Sequence, residues 1–581
     1  MSIFQTLSVA RPQISICKMQ IKQREINKEV YQACINEGYP EIVSRIIAGR
    51  TGEFNKNIFT HSSNCVEPAK NMTDSTKASQ RIVDAIQTDQ TILLFTDYDV
   101  DGCVSMAILH GALHDVFGVK KSNIQTLTGH RTEDGYGLTD TIAGKIKNLQ
   151  PDLVITADAG ISDGPRIKRL AKAGIDVIVT DHHILPMEGI PNSACAVVNP
   201  QRQDCQYDNN IAGCGVVWLL MTAVAQELDC SMDQKRVLHR FLDYVALGTV
   251  ADLVSLASPI NRYFVKQGLA FMNEQTRECW RIALSGQKAN VGFLGFQLGP
   301  RINAGSRMTG EANAAIEFLV SKNPDKISAA YRQLDHCNYN RRKIEKRMFD
   351  AAKKRVNKEN NIFIDYNEGY DPGVQGIVAG KLAEAFGIPA IMLADIGDDL
   401  VAGSGRSGQF LHIRDALQSF DDNYPGILVS FGGHRAAAGL KIHKENIEIL
   451  QKGLSDTVNT QLADQDTTPY IKTDGSLKGH LNFGTYYQVE ALNPFGIGFP
   501  TPTFNDAMTA TNVRVVGKNP VHLSMKLDGI KAIQFYALDN PGDPLQINSN
   551  DKVEVVYTLS MDEWQGRKSL QLIIKRISKK S

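Results

Sequence analysis

The chain has 581 residues, of which 43% are hydrophobic and 22% are charged, proportions that are ordinary for globular proteins. That length is sufficient for more than one domain, each with its own core. The 63 basic and 63 acidic residues cancel, so any contact with nucleic acid must come from local patches rather than from a basic tail.

Cysteine spacing and hydropathy indicate the compartment in which the protein works. None of the ten cysteines forms a C-x-x-C pair, which argues against a zinc ribbon or a disulfide framework and for a reducing compartment. No apolar stretch approaches the roughly 18 residues of a membrane span. We therefore expect a cytoplasmic protein with no membrane partner.

The first strongly predicted strand carries the most informative motif of the chain. The 75 N-terminal residues are mixed and polar, with a helix predicted at 40–49, and a second helix is predicted at 77–86. The apolar run 92–95 is typical of a buried strand in a parallel sheet. It is followed by three alternating carboxylates, Asp97, Asp99 and Asp101. Open α/β sheets bind ligands at the carboxyl ends of their strands, and three like charges there favour a hard divalent cation.

Two other interpretations of this acidic motif remain open at this point. D-x-D-x-D-G also opens an EF-hand calcium loop, which requires a preceding helix and a bidentate Glu at the twelfth position. Here a β-rich run precedes the motif and the twelfth position is Ile108. A solvated acidic turn is the simpler alternative.

Strands and helices then alternate along the chain. The next predicted elements are a helix at 104–116, a strand at 152–156, a helix at 165–173 and a strand at 176–180. The two strands end beside Asp158 and beside His182 and His183. Strands that alternate with helices predict βαβ units and hence a parallel sheet with right-handed crossovers. Helices are also predicted at 213–228 and 234–247, the second running on toward Asp252.

These strand and helix ends supply four carboxylates and two imidazoles: Asp97, Asp99, Asp158, Asp252, His182 and His183. Taken singly, an Asp after a strand is more often a helix cap, and a His pair is more often a surface or core feature. Together they occupy matching positions, and oxygen and nitrogen ligands without thiolate suit Mn²⁺ or Mg²⁺ better than structural zinc. Their number is sufficient for two metal ions bridged by one carboxylate.

The second half of the chain contains three further regions. A long charged helix is predicted at 328–356 as a connector, and its basic run can equally be a solvated helix face. A second α/β region spans 362–454, with glycine-rich turns predicted at 403–408 and 432–433. From about 467 to 581, short β-like runs separated by turns predict a small β-barrel.

Several motifs resemble those of one family when they are read in order. DYDVDG, RTEDGYGL, ADAGIS, TDHH and ALGTVADLV resemble the successive motifs of the DHH phosphoesterase superfamily. GPRINAGSRM, GSGRS and FGGHRAAAG resemble the RecJ branch with its DHHA1 domain, and LNPFGIGFPTPTF resembles the start of that branch's OB-fold. The resemblance extends from about residue 37 to the C-terminus. DHH by itself would be a weak signal.

The resemblance implies an α/β protein with five regions. These are an N-terminal extension packing on the DHH domain (1–75), a parallel-sheet DHH catalytic domain (76–310), a long helical connector (311–360), a smaller α/β DHHA1 domain (361–460) and a C-terminal OB-fold β-barrel (461–581).

The resemblance also implies roles for the residues of the acidic motifs. Asp97, Asp99, Asp158, His182 and Asp252 would be ligands of two Mn²⁺ or Mg²⁺ ions, with Asp158 as the bridge. His183 would lie beside the scissile phosphate as a ligand or proton donor, and Asp101 would support the ligands. The implied reaction is in-line attack on phosphorus by a metal-activated hydroxide.

A second set of residues would contact the substrate. Arg131 and Tyr136 would touch the strand near the metals, and Gly433 and His434 would close the cleft opposite them. Ser404 and Arg406, together with Arg301, would bind a 5′ phosphate. Asn303 and Arg307 complete the set, although a structural salt bridge is an alternative role for Arg301 and Arg307. The segment 403–408 also spells G-x-G-x-x-G, but the dinucleotide-binding fingerprint requires a whole βαβ unit.

These inferences predict a 5′→3′ exonuclease that degrades single-stranded DNA to mononucleotides in repair and recombination. The expected partner is single-stranded DNA with a 5′ phosphate. A single-strand-binding protein and a helicase are candidate protein partners, and a monomer is the expected state. Candidate base-stacking residues of the barrel are His522, Phe535, Tyr536 and Trp564. The alternatives are a DHH phosphodiesterase for cyclic or short oligonucleotides, a pyrophosphatase, and a non-catalytic single-strand-binding replication factor.

Overall fold

The structure is a computed structural model that describes residues 19–56, 58, 62–357, 360–463, 465–538 and 540–580, without the side chain of Trp564. It divides into two compact units. Unit 1 contains the described residues of Met1–Phe54, Arg341–Ala491 and Thr501–Ser581, and unit 2 contains those of Asn55–Asn340 and Leu492–Pro500. Among the described residues, no helix is both long and apolar enough to cross a bilayer.

The strands alternate with helices in the first two-thirds of the chain and dominate its C-terminal part. In chain order the strands are β1 (Gln20–Gln23), β2 (Ile92–Thr96), β3 (Ile124–Thr128), β4 (Leu153–Ala157), β5 (Asp176–Thr180), β6 (Ala196–Val198), β7 (Phe363–Tyr366), β8 (Ala390–Gly397), β9 (Leu400–Arg406), β10 (Leu428–Gly433), β11 (Ala437–His443), β12 (Tyr470–Thr473), β13 (Phe504–Val516), β14 (His522–Leu527), β15 (Ile530–Gln534), β16 (Lys552–Trp564) and β17 (Arg567–Lys579).

The α-helices connect and cover these strands. In chain order they are α1 (Lys28–Asn36), α2 (Glu41–Ala48), α3 (Ser75–Gln87), α4 (Val100–Gly111), α5 (Asp140–Leu149), α6 (Gly164–Lys172), α7 (Gly213–Glu227), α8 (Met232–Arg240), α9 (Leu242–Ala251), α10 (Pro259–Asn273), α11 (Glu278–Leu284), α12 (Val291–Phe293), α13 (Gly299–Thr309), α14 (Asn313–Val320), α15 (Pro324–Lys353), α16 (Gln375–Phe386), α17 (Ile413–Asn423), α18 (Ile447–Leu462) and α19 (Phe483–Glu490).

Unit 2 is built on a five-stranded sheet in the order β3-β2-β4-β5-β6, in which every pair is parallel. All five residues of β2 and all five of β4 are buried, as expected for strands covered on both faces. The side chains of Phe95 and Val154 pack with Ile142 and Ile146 of α5 and with Leu170 of α6 in one apolar cluster. The predicted parallel DHH sheet is therefore confirmed.

The helical region predicted at 234–247 differs from the structure, which has two helices there. α8 begins at a complete capping box between Ser231 and Gln234. It ends at Arg240, and α9 starts after the intervening Phe241. Phe241 is 2% exposed. The apolar periodicity runs through both helices, so the sequence alone did not reveal the break.

Unit 1 contains a second sheet, in the order β10-β11-β9-β8-β7. β7 and β8 are parallel, whereas the other three pairs are antiparallel. Phe420 of α17 and Leu450 and Leu454 of α18 pack with Ile391 and Leu440 of this sheet in one buried cluster. The smaller α/β domain predicted for this region is confirmed.

The two glycine-rich turns predicted in this region are wrong, because both segments lie mainly in strands. Gly403 to Arg406 belong to β9, which pairs with β8 on one side and β11 on the other, and Gly432 and Gly433 end β10. A Cβ at Gly405 would lie 2.5 Å from Cδ1 of Ile413, so glycine here allows a helix to pack closely on the sheet. Glycine in a sequence can therefore indicate a close approach as well as a turn.

The C-terminal region forms the expected barrel. Its strands pair in the order β13-β14-β15-β17-β16, and β16 pairs again with β13. β15 and β17 are parallel and the other pairs are antiparallel. Phe504 and Tyr557 are fully buried inside it, and the Tyr557 hydroxyl donates to Oδ2 of Asp506 at 2.6 Å.

The described N-terminal residues 19–54 belong to unit 1. β1 pairs in parallel with β12, which precedes the barrel. Arg50 donates two hydrogen bonds to the buried carboxylate of Asp474, at 2.5 and 2.8 Å. Backbone pairing and a buried ion pair therefore hold the described residues 19–54 in unit 1, whereas Asn55 onward belongs to unit 2. Neither contact is visible in the sequence, since the partners are more than 400 residues apart.

Candidate metal centre

Three neighbouring strands of unit 2 end at the same edge of the sheet. Thr96 of β2 pairs with Ala157 of β4, which pairs with Thr180 of β5. The next residue along each strand is an aspartate: Asp97, Asp158 and Asp181. Because the strands are parallel and in register, the side chains that follow them are brought together at one edge.

The side chains at this edge form three overlapping groups of metal-type ligands. Within each group the ligand atoms lie within 4.8 Å of one another. The groups are Asp97, Asp99 and Asp158; Asp158, His182 and His183; and Asp101, His182 and Asp252. Nε2 of His182 lies 3.1 Å from Oδ1 of Asp158 and 3.7 Å from Oδ2 of Asp252. Carboxylate and imidazole ligands without thiolate fit Mn²⁺ or Mg²⁺.

The carboxylates at this edge are largely buried and lie close together, so their negative charges repel one another. Burial, followed by the charge of Asp99, raises the pKa of Asp97 to about 8. Burial and the charges of Asp101 and Asp99 raise the pKa of Asp252 to about 8. Burial also raises the pKa of Asp158 well above its usual range. A divalent cation among these groups would offset the repulsion and hold them ionised.

Asp158 is held in a strained backbone conformation at the centre of these groups. Its φ is +59°, in the left-handed region that non-glycine residues seldom occupy. Its N–H donates to the Thr180 carbonyl at 3.1 Å, which continues the pairing of β4 and β5. Backbone strain of this kind costs about 1–3 kcal/mol and clusters at functional sites.

Asp101 lies beside His182 and is hydrogen-bonded to the backbone at the start of α7. Its Oδ2 accepts from the backbone N–H of Gly213 at 2.7 Å, and its Oδ1 accepts from the N–H of Cys214 at 3.1 Å. Both oxygens are therefore engaged by the N-terminus of α7, and the residue is 1% exposed. Nε2 of His182 lies 3.8 Å from Oδ2 of Asp101, so Asp101 contributes negative charge behind the ligands.

Asp181 is a further residue of this centre, to which the sequence alone assigned no role. Its Oδ1 accepts from the N–H groups of His182 and His183 at 2.7 and 3.1 Å, and it lies 2.8 Å from Nδ1 of His183. Burial lowers the pKa of His183, but the bond to Asp181 and the charges of Asp181 and Asp252 outweigh it and raise that pKa to about 9. Asp181 thus orients the His183 ring and favours its charged form. The available signal was the position of Asp181 directly after β5.

The loop after β3 brings two of the predicted substrate residues to the same edge. The Tyr136 hydroxyl donates to the Asp158 carbonyl at 3.1 Å and lies 3.0 Å from Nδ1 of His183. The Arg131 guanidinium stacks over the Tyr98 ring at 4.8 Å, and its charge partly offsets the rise in the pKa of Asp97 that burial and Asp99 cause. Both predicted residues therefore lie beside the centre.

The three predicted residues of α13 have different surroundings. Oδ1 of Asn303 accepts from the N–H of Val100 at 3.1 Å, next to Asp99. The charge of Arg307 partly offsets the rise in the pKa of the Tyr98 hydroxyl that burial causes. Nε of Arg301 donates to Oδ1 of Asp335 at 2.7 Å, which is the structural ion pair that the sequence left open.

Unit 1 contains the remaining predicted substrate residues. Ser404 and Arg406 point from β9, and Nη1 of Arg406 donates to Oγ of Ser404 at 3.1 Å. A cavity of about 360 Å³ is lined by Arg406, Gly408 and Gln409. The N–H groups of 403–406 are used by the neighbouring strands, so any anion here meets the Ser404 hydroxyl and the Arg406 guanidinium. Gly433 ends β10, and the N–H of the exposed His434 donates to Ala437 at 2.8 Å.

The barrel aromatics proposed for base stacking pack mainly on each other. The His522 ring lies 4.8 Å from the Tyr536 ring and 5.6 Å from the Phe535 ring. Nδ1 of His522 also accepts from the Tyr536 N–H at 2.9 Å. All three are half-buried, and the Trp564 side chain lies outside the described part of the chain.

The fold and the ligand groups agree with comparisons to known protein families. The chain matches the DHH family N-terminal domain over residues 91–249, the DHHA1 domain over 359–460 and the RecJ OB domain over 473–576. This combination defines a DHH/DHHA1-type protein with an OB domain.

Relatives and solved structures narrow this class. The chain is 31% identical to the single-stranded-DNA-specific exonuclease RecJ of Dickeya dadantii, over 86% of this chain and 90% of the relative. It is 30% identical to the protein of the same name from Escherichia coli, over 96% and 99%. The chain belongs to the RecJ family.

Structural neighbours have the same fold. A crystal structure of RecJ with Mn²⁺ from Thermus thermophilus has a TM-score of 0.79 and 22% identity, over 97% of this chain and 79% of that one. A manganese-bound structure of exonuclease RecJ has a TM-score of 0.58 and 27% identity, over 68% and 98%.

Proposed function

We propose that this protein is a metal-dependent exonuclease that hydrolyses single-stranded DNA from its 5′ end to 5′-mononucleotides. The observation that carries the proposal is the convergence of carboxylates and imidazoles at one sheet edge, in three overlapping groups whose ligand atoms lie within 4.8 Å of one another in each group. That convergence occurs in a chain 31% identical, over 86% of its length, to a protein named for single-stranded-DNA exonuclease activity. DNA repair and recombination are the proposed setting.

The proposed metal ligands are Asp97, Asp99, Asp158, His182 and Asp252, with Asp158 shared between two Mn²⁺ or Mg²⁺ ions. Two such ions, when bound, stabilise both the attacking and the leaving oxygen of an in-line displacement at phosphorus. These side chains would hold the ions, and Asp101 and Asp181 would position the side chains through their hydrogen bonds to α7 and to His183.

Hydrogen bonding gives His183 a separate role beside the scissile phosphate. Its Nδ1 is engaged by Asp181 and Tyr136, which leaves Nε2 for a phosphate oxygen. Because the Asp181 carboxylate favours the imidazolium, Nε2–H can donate to that oxygen as negative charge develops on it. Arg131 supplies a further positive charge close to the bound DNA strand.

The 5′→3′ direction is proposed to depend on Ser404 and Arg406. A hydroxyl and a guanidinium within 3.1 Å of each other can bind a terminal phosphate through charge-assisted hydrogen bonds. Arg301, Asn303, Arg307, Gly433 and His434 remain proposed substrate contacts. The OB-fold barrel is proposed to bind the rest of the single strand by stacking and backbone charge.

The proposed setting is the cytoplasm, as a monomer, with a single-strand-binding protein and a helicase as protein partners. The nine cysteines within the described residues are all free, which supports a reducing compartment.

A nuclease assay with two matched variants tests this function. The substrates are a 5′-phosphorylated single strand labelled at either end, its 5′-hydroxyl counterpart, the matching duplex and a cyclic dinucleotide, each with Mn²⁺. Wild type should release mononucleotides from the 5′ end of the phosphorylated single strand alone. Asp158→Asn should lose this activity by about 10³-fold or more, and its backbone should be tolerated since asparagine also adopts a positive φ.

Asp152→Asn is the matched control for this assay. Asp152 is an exposed aspartate that directly precedes β4, whereas Asp158 directly follows that strand. Oδ2 of Asp152 accepts from the Thr91 N–H at 2.8 Å. Its substitution should leave the rate unchanged. Cleavage of the cyclic dinucleotide alone would contradict the proposed substrate, and turnover by Asp158→Asn would contradict the proposed centre.

A further inference from the structure

Asp163 departs from the usual behaviour of an aspartate at the start of a helix. It is the N-cap residue of α6, a position where aspartate normally accepts from the N–H groups of the first turn. Its side chain makes no such bond. Instead, Oδ2 of Asp163 accepts from the N–H of Leu138 at 2.7 Å, 25 residues earlier in the chain. The Asp163 carboxylate therefore binds the loop after β3 and does not cap its own helix, α6.

The two segments that Asp163 connects both reach the metal centre. Leu138 ends the loop that contains Tyr136. Asp163 ends the turn that begins at Asp158. The Tyr136 hydroxyl donates to the Asp158 carbonyl at 3.1 Å, so two polar contacts join the same pair of segments. One is made by the tyrosine beside the centre and the other by Asp163.

The backbone of the Tyr136 loop is shaped to fit against this carboxylate. Gly137 lies between Tyr136 and Leu138 with φ at +83°. A Cβ there would lie 2.8 Å from Oδ2 of Asp163, so the loop approaches the carboxylate closely, as only glycine permits. Gly137 and Leu138 are buried, whereas Tyr136 is 47% exposed. The buried contact therefore anchors the segment that presents an accessible tyrosine.

A second acidic residue secures the other end of the loop. Oδ2 of Asp134 accepts from the N–H of His130 at 2.9 Å and pairs with Lys145 of α5 at 3.1 Å. The Arg131 N–H donates to the Gly310 carbonyl at 2.7 Å. Arg131 is consequently fixed independently of Asp163, whereas the hydroxyl contact of Tyr136 and the bond to Asp163 lie on the same side of the loop.

We propose that Asp163 is a positioning residue that holds the Tyr136 loop on the Asp158 turn and so keeps Tyr136 beside His183. This inference rests on the proposed nuclease function for its effect on rate. It concerns a residue outside the proposed metal ligands and the proposed substrate contacts. A tyrosine displaced by about 1 Å from a productive position can lower a rate by about 10²-fold.

A double-mutant cycle with Tyr136 tests the proposal. Asp163→Ala should lower kcat for the single strand by about tenfold or more. In the Tyr136→Ala background the same substitution should change kcat by less than about twofold, because the group it positions is already absent. Asp163→Asn retains an acceptor oxygen and should recover most of the loss. Equal effects of Asp163→Ala in both backgrounds would overturn the proposal.

Hydrogen exchange gives a readout that does not depend on turnover. In Asp163→Ala, amides of residues 129–138 should exchange faster, while those of β2 and β4 should keep wild-type rates. Asp152→Ala removes an acceptor for a single backbone N–H in the same unit, and it should leave both the loop and kcat unchanged. Unaltered exchange in the loop of Asp163→Ala would refute the positioning role. If wild type degraded no single strand, the proposed function would fail while this exchange result still decided the role of Asp163.

Discussion

Asp101 illustrates how much of this centre is built from residues that are not themselves predicted ligands. Both of its oxygens accept N–H groups of α7, at 2.7 and 3.1 Å, so it stabilises the start of that helix and carries negative charge behind His182. A carboxylate in this position favours the helix N-terminus electrostatically. The ligands are thereby attached to two packed helices and to the sheet edge.

Gly248 of α9 determines how closely that helix approaches Asp101. A Cβ at this position would lie 2.6 Å from Oδ1 of Asp101 and would also overlap Sγ of Cys214. Gly248→Ala should therefore lower the free energy of unfolding by about 1–3 kcal/mol, the usual cost of overpacking. It should also weaken Mn²⁺ binding, because Asp252 ends the same helix. Thermal unfolding and a Mn²⁺ titration measure the two effects.

Gly144 of α5 is the matched control, since a Cβ there meets nothing within 4 Å. Gly144→Ala should be neutral or should stabilise by up to about 1 kcal/mol, because alanine has the higher helix propensity. Equal effects of the two substitutions would show that close packing at Gly248 is not the cause.

At the scale of elements, α10 joins the segment Leu492–Pro500 to unit 2 through one buried arginine. Arg262 is 0% exposed and donates to the carbonyls of Leu492, Pro494, Leu256 and Ile58 at 2.5 to 3.2 Å. Its guanidinium also stacks over the Phe499 ring at 4.4 Å. Burial lowers the pKa of Arg262 to about 10. The same segment also contacts the residues that follow Asp252, because the Leu256 N–H donates to the Ile497 carbonyl at 2.7 Å.

Arg262→Met should release this segment. The substitution leaves buried carbonyls without donors, each at a cost of about 1–3 kcal/mol. Chymotrypsin under native conditions should then cleave at Phe495 or Phe499, the latter being fully buried in the native protein. Arg236→Met is the control, because that side chain is 75% exposed in a surface ion pair of little energetic value. Resistance of Arg262→Met to cleavage would contradict the role of the arginine.

At the scale of the whole molecule, the five proposed ligands all lie in unit 2, so metal binding should stabilise that unit. Mn²⁺ at a hundredfold excess over its dissociation constant should add about 2.7 kcal/mol per independent site. Scanning calorimetry should show one transition that rises with Mn²⁺ and falls when a chelator removes it. Asp158→Asn should reduce the shift, whereas Ser404→Ala in unit 1 should retain it. An unshifted wild-type transition would be inconsistent with the centre.

Three of the five strands of the DHH sheet, β2, β4 and β5, were predicted to within one residue, whereas β3 and β6 were not predicted. Buried parallel strands are short continuous apolar runs bounded by turns, and β2, β4 and β5 fit that pattern. The glycines of β9 were wrongly interpreted as a turn, because glycine is needed there for close packing of the strand against Ile413 and Leu440. The break at Phe241 was hidden because apolar residues at helical spacing, among them Leu238, Phe241 and Leu242, continue through it.

The candidate ligands were also predictable, for a topological reason. Residues that follow parallel strands meet at one edge whatever the packing elsewhere, so Asp97, Asp158 and His182 could be grouped from sequence. Asp163 had no such signal, because an aspartate before a helix is ordinarily its cap. For Arg301 the sequence left a structural salt bridge open as an alternative role. Its partner, Asp335, could not be identified from the sequence of either residue's surroundings.

The sequence by itself determined the order of strands and helices, the family motifs and the chemistry of the predicted ligands, because these depend on local periodicity and residue type. Only the tertiary structure decided which side chains come together at the sheet edge and which backbone groups Asp101 and Asp181 bind. It also decided that β1 pairs with β12 and that Arg262 holds Leu492–Pro500. These features depend on contacts between distant residues, whose partners are set by packing and by the need to satisfy buried polar groups.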